Sequence, residues 1–184
     1  AVGSVVLKQF RVCMLVSLRS LLPKIWDMNL ERAWERMWDT VEACLEPNLK
    51  LPAKYEKPVE RFVLDLSADD FRALGRATFH RLFQIRPQSE NYFKQSNERL
   101  SFIARRAIEF SMEILREPQK TVDDVTALGL KHIMYGIPTE YFEPFVSCCL
   151  EAVRVPCKDA MALEGLEWSM RIVASIMVHT IEDG

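Results

Sequence analysis

Histidine and glycine are scarce in this chain, with three His and six Gly in 184 residues. No flavin or nicotinamide fingerprint is found, so any reductant would have to come from another protein. An excess of one charge sign is missing too. Lys and Arg number 24 against 26 Asp and Glu, for a net charge of −2, and the signs are interleaved. That removes the electrostatic case for nucleic acid or a broad anionic surface as partner. The five cysteines form no C-x-x-C pair and leave an odd one over, which argues against zinc. They read as reduced, mostly buried thiols, as expected of a cytoplasmic protein. Adjacent Cys148 and Cys149 would face different directions on a helix.

Long uninterrupted apolar runs are also lacking. The segment from Val5 to Leu22 comes nearest, but Lys8, Arg11 and Arg19 interrupt it, and it is too charged to span a bilayer. No small-residue cleavage site follows it. Leu7, Phe10, Met14, Leu18 and Leu21 recur at helical spacing. The segment is therefore expected to be an amphipathic helix that packs on the domain rather than on a membrane. Alternating β-branched residues, hairpin dipeptides and internal repeats are absent as well. These gaps point to an all-α fold. The length suits one domain with a sizeable core, and the 49% apolar share is that of an ordinary globule.

The helices can be read in order. Pro23 ends or turns the first. Asn29 is expected to cap a second, to Leu45, with Leu30, Ala33, Trp34, Met37, Trp38 and Val41 on one stripe. Pro47, Pro52 and Pro58 then mark an extended linker, so residues 46–66 read as an insertion. Ser67, followed by Asp69 and Asp70, starts a helix running to about Ile85. Pro87 opens a short helix with Phe93 just beyond it. Ser96 or Asn97 caps the next, to Arg116, where Glu117-Pro118 ends it. Helices over Val122–Tyr135, Pro138–Val153 and Lys158–Ile181 complete the set.

The stretch from Leu128 to Phe145 stands out. His132 falls on the apolar face formed by Val122, Val125 and Leu128, shortly before a break at Gly136, Ile137 and Pro138. A second helical pattern follows with Tyr141, Phe142, Phe145 and Cys149. An inward histidine before a tight corner can hold a flat metal cofactor against the next helix. By itself it is better read as a core histidine bonded to a carbonyl.

The pattern around it resembles the globin family from Phe71 to Gly184, about 115 residues. Pro87 and Phe93 match the proline that opens the third globin helix and the haem-contacting phenylalanine six residues on. Gly75 and Ala104 match the close crossing of the second and fifth helices. Leu128 stands four residues before the proximal histidine, Ile137 and Pro138 follow at the corner, and Trp168 is early in the last helix. No single match is specific; their order and spacing carry the resemblance. It implies an animal-type three-over-three helical sandwich. Residues 1–28 would be an extension helix and 29–184 the globin domain, with the 46–66 insertion and the Asn29–Leu45 helix as first globin helix.

The resemblance also implies haem b, with His132 as the proximal iron ligand. Phe79, Phe93, Phe102, Ile103, Ala107, Leu128, Ile137, Phe142 and Phe145 would line the slot. A carbonyl near Leu128 would take the second imidazole N–H. Arg105, Arg106 and Lys131 are candidates to pair with the haem carboxylates. Counting back from His132 places Ile103 opposite it, where many globins have a histidine. Ile103 donates no hydrogen bond, so O₂, the more polar ligand, would be held less well than CO. Arg106, one turn away, is the candidate replacement donor. The expected function is therefore binding of diatomic gases (O₂, CO, NO) for gas or redox sensing or electron transfer, with oxygen storage or transport as alternative. Nitrite reduction or NO scavenging would need a reductase. The partner would be a redox or signalling protein, and a homodimer stays open.

Overall fold

The computed structural model describes residues 3–183, with side chains given for 7–45 and 53–183. Every regular element among them is a helix: α1 (Gly3–Leu21), α2 (Met28–Asp65), α3 (Ala68–Ile85), α4 (Asn97–Arg116), α5 (Pro118–Tyr135), α6 (Phe142–Val153) and α7 (Ala160–Asp183). Two 3₁₀ turns, Pro87–Asn91 and Thr139–Tyr141, precede α4 and α6. The chain is all-α in this sense, and no described helix is long and apolar enough to cross a membrane. It divides into two compact units, Ala1–Pro52 and Ala53–Gly184, at a point inside α2.

The first unit pairs α1 with the opening turns of α2. Trp38 is buried there, with the Phe10 ring edge-on at 5.5 Å and its Nε1 3.3 Å from Met14 Sδ. Arg11 bonds Asp39 at 2.7 Å and Glu42 at 3.4 Å. The cap of α2 is Asp27, whose Oδ1 accepts from the amides of Asn29 (2.9 Å) and Leu30 (2.7 Å). Asn29, expected as the cap, lies inside the helix. The carboxylate takes the position because it can satisfy two first-turn N–H groups and also favours the positive helix end.

Residues 46–66 were expected to be an extended linker, yet α2 continues helically to Asp65. The side chains of 46–52 lie outside the described residues. Beyond them Tyr55, Val59 and Val63 recur every four residues and all are buried. Their face lies on α7 so closely that a Cβ at Gly165 would come within 2.7 Å of Tyr55 Cβ and Val59 Cγ2. Burying three large side chains contributes on the order of 1.5–3 kcal/mol each. That is of the same order as the cost of the prolines inside α2, roughly 3 kcal/mol each. The first helix of the second unit is thus the end of α2 from Ala53, not Asn29–Leu45.

Helix α3 starts at a capping box. Ser67 Oγ accepts from Asp70 N at 3.1 Å, and Asp70 Oδ2 accepts from Ser67 N at 2.9 Å. Ser67 Oγ also donates to Asp70 Oδ2 at 2.6 Å; that bond first, and the one from the Ser67 amide second, hold the Asp70 carboxyl below the usual carboxylate range. Further along, α3 crosses α4 where an added Cβ on Gly75 would be 2.6 Å from Ser101 Cα. Gly75 is at the crossing expected of it, but it meets Ser101. Ala104, one turn on, is fully buried in the core beside it. Helix α3 also packs on α6, while α4, α5 and α6 pack on α7. Arg116 ties α4 to the end of α2 through Glu60 at 3.2 Å.

Two boundaries differ from the sequence pattern. Pro118 ends α4 and also begins α5 at its first turn, where a proline's missing N–H has no intrahelical partner to lose. Pro138 is extended (ψ 140°), and α6 begins only after the 3₁₀ turn.

Candidate functional site

His132 sits in the last turn of α5, partly buried. Its Nδ1 lies 2.9 Å from the carbonyl oxygen of Leu128, one turn back. That contact fixes the ring and leaves Nε2 as the outward nitrogen. His179 makes the same bond to Ser175 O at 2.8 Å, so the bond alone is a property of a helical histidine. The surroundings separate the two. The imidazole of His132 lies 5.9 Å from the Phe142 ring and 5.7 Å from that of Tyr135. His179 is exposed on α7, on a surface groove shared with Glu140, Glu143, Glu182 and Arg171. His80 is exposed on α3.

The helix carrying His132 ends sharply. Gly136 takes φ 62°, a left-handed conformation that costs a residue with a Cβ about 1 kcal/mol or more. Its N–H donates to Ile133 O at 3.1 Å. Ile137 and Pro138 follow, both half-buried. The corner brings α6 back, so that Phe142 meets His132.

A second group of rings lies one turn along α6. Phe145 is 5.6 Å from Phe79 of α3, and Phe79 is 5.1 Å from Phe93. Phe79, Leu82, Leu100, Ala104 and Cys148 form a buried cluster, with Phe83, Phe93, Ile103 and Phe145 packed on its edge. Leu128 and Phe142 belong to a neighbouring cluster around Phe110, Val125 and Met177. The residues expected to share one slot thus fall into two groups, with α6 supplying Phe142 to one and Phe145 to the other. Phe93 lies where the sequence places it, two residues beyond the 3₁₀ turn that Pro87 opens.

Several residues do not join these rings. Phe102 is 48% exposed, with the Arg99 guanidinium 5.1 Å above its ring. It lies one residue past Ser101, the contact for Gly75, and so turns about 100° off the packed stripe. Ala107 is half-buried one turn beyond Ile103, its carbonyl accepting from Ser111 Oγ at 2.9 Å. Arg106 is engaged elsewhere. It bonds Glu109 at 2.7 Å and Glu113 at 3.1 Å, and covers the Phe110 ring at 4.3 Å. Burial opposes its charge, but the bonds to Glu113 and Glu109 outweigh that and raise its pKa. Arg105 bonds Glu109 at 2.6 Å and lies 4.9 Å over Phe71. Lys131, beside His132, is exposed.

Leu100 was not among the expected pocket residues. It is buried against Phe79 from the same helix as Ile103, whereas Ile103 is only partly buried. The periodicity Leu100, Ala104, Ile108 carried that signal. Cys149 was expected inside, and it is: burial pushes its thiol up to about 12, against a hydrogen bond with Thr78 that works the other way. Such a thiol is inert at neutral pH.

A scan against protein-family models finds no match for this chain, and a search of the curated proteins finds none either.

Proposed function

We propose that the second unit is a globin-type, three-over-three haem protein that binds diatomic gases at an iron held by His132. One observation carries the reading: an imidazole fixed through Nδ1 by the Leu128 carbonyl, facing an aromatic wall just before a left-handed glycine corner. The donor chemistry fits the group. One imidazole nitrogen is left for iron, and the Phe142 and Tyr135 rings beside it suit a porphyrin face. The helix pairings are in keeping with the same reading, with the end of α2 as the first helix of the sandwich.

Haem supplies the iron at which a diatomic gas binds. The chain's own residues would do the rest. Leu128 O orients His132; Phe142 sets the plane of its ring; Phe79, Phe93 and Phe145 exclude water. Ile103 and Leu100 offer no hydrogen bond on the α4 side. Arg106, the one candidate donor there, is held by Glu109 and Glu113. Apolar side chains on that side favour gas or redox sensing or electron transfer over oxygen storage, because O₂ needs a donor more than CO does.

The test is a titration of the purified chain with haemin followed by absorption. The expected result is a sharp Soret band saturating at one haem per chain. A spectrum that remains that of free haemin would overturn the reading.

A further inference from the structure

The turn that carries His132 is thinly held. Leu130, Lys131, Ile133, Met134 and Tyr135 are all exposed. Besides the Phe142 contact, the inner face of α5 is held by buried Thr121, Val125 and Gly129, with Leu128 packed beside them. Val125 is fully buried against the cluster of Phe110 and Met177. One turn later Gly129 meets α7 with no room to spare: an added Cβ would be 2.9 Å from both Cβ and Cγ2 of Thr180 and 3.4 Å from its Oγ1. Thr180 cannot simply rotate away, because its Oγ1 donates to Ile176 O at 2.7 Å.

A glycine inside a helix is destabilising relative to alanine. The close approach to Thr180 is what that cost secures here. Gly129 precedes His132 by three residues, so the two lie near one side of α5. We propose that the Gly129–Thr180 contact positions His132, setting how far its imidazole reaches toward the iron. Gly129 is then a positioning residue, and the proposal rests on the haem reading above. A methyl group at Gly129 must part the two helices by a few tenths of an ångström. Helix α7 also packs on α4 and α6, whereas the outer face of α5 is exposed, so α5 is the helix that moves.

The readout is the iron–histidine stretching band of the ferrous protein, measured by resonance Raman, together with the rate of CO association. Gly129→Ala is expected to keep a Soret band but shift the stretching band. A 1 Å misplacement costs about a hundredfold, so tenths of an ångström should change CO association by about threefold to fivefold. Gly129→Ala combined with Thr180→Gly should restore both values, since it removes the obstructing atoms. Thr180→Gly alone keeps α5 unaltered and should also move the band, which tests the idea even if Gly129→Ala fails to fold. Gly165→Ala crowds another α7 crossing and should leave the band in place. A wild-type band in a haem-bearing Gly129→Ala, no restoration in the double variant, an unmoved band in Thr180→Gly, or an equal shift in Gly165→Ala would each overturn the inference. Failure of the haem reading looks different: the unsubstituted chain would show no Soret band at all, and this proposal would fall with it.

Discussion

At the scale of single residues, the proposed site rests on a held imidazole and, on the haem reading, on an opposite side without a hydrogen-bond donor. His132 was legible because its helical face, its leucine four residues back and the glycine corner are all local features of the sequence. Which residue of α4 faces it was less legible. The count back to Ile103 assumes an uninterrupted register, while the packing buries Leu100 and Ala104 more deeply. Replacing Ile103 with histidine supplies an N–H donor. If Ile103 borders the ligand, Ile103→His should slow O₂ release by about tenfold, on the basis of a hydrogen bond worth roughly 1–1.5 kcal/mol. Flash photolysis or stopped flow would show it, and an unchanged rate would place the residue away from the ligand. Asp70 offers a second test. Its carboxyl titrates below its usual range because of the Ser67 bonds, so the ionised form stabilises the fold above the ordinary carboxylate pKa of about 3.9. That contribution fades as pH falls through the depressed folded value. In urea titrations Asp70→Asn should be less stable than the parent at pH 6, with the gap narrowing toward pH 3. A gap independent of pH would mean that the carboxylate charge contributes nothing to the cap.

At the scale of helices, most caps and corners were readable, the cap of α2 excepted, while most helix partners were not. The Ser67 box and the Pro87 turn follow from adjacent residues, and both are present. The end of α2 was misread because three prolines within a dozen residues outweigh a stripe of three apolar positions when no packing partner is known. The partner, Gly165, lies more than a hundred residues away. Phe102 shows the same limit: its type suits a pocket, but the orientation of α4 is set by the crossing at Gly75. That crossing is the tightest of the described glycine contacts, since the obstructing atom is backbone. Gly75→Ala gains about 1 kcal/mol of helix propensity but forces α3 off α4. Overpacking of this kind costs about 1–3 kcal/mol, so a net loss of up to about 2 kcal/mol is expected in denaturant unfolding. A variant more stable than the parent would show that the helices are not in contact there.

At the scale of the whole chain, the all-helical class follows from composition and the missing strand signals. The division into units does not, because it falls inside a continuous helix. A chain beginning at Ala53 keeps Tyr55, Val59 and Val63 for α7. It should retain the far-ultraviolet signal of a folded helical protein and, on the haem reading, take up haemin. One beginning at Ser67 loses that face and should unfold at lower denaturant. Equal stability of the two would place the start of the domain after α2.

The central claim is that the His132 imidazole bonds the iron, and its removal and replacement tests that most directly. His132→Gly should lose the Soret and visible bands of the ferrous parent, and free imidazole added to the variant should restore them by filling the space the side chain leaves. A His132→Gly protein whose haem spectrum matches the parent without imidazole would contradict the account.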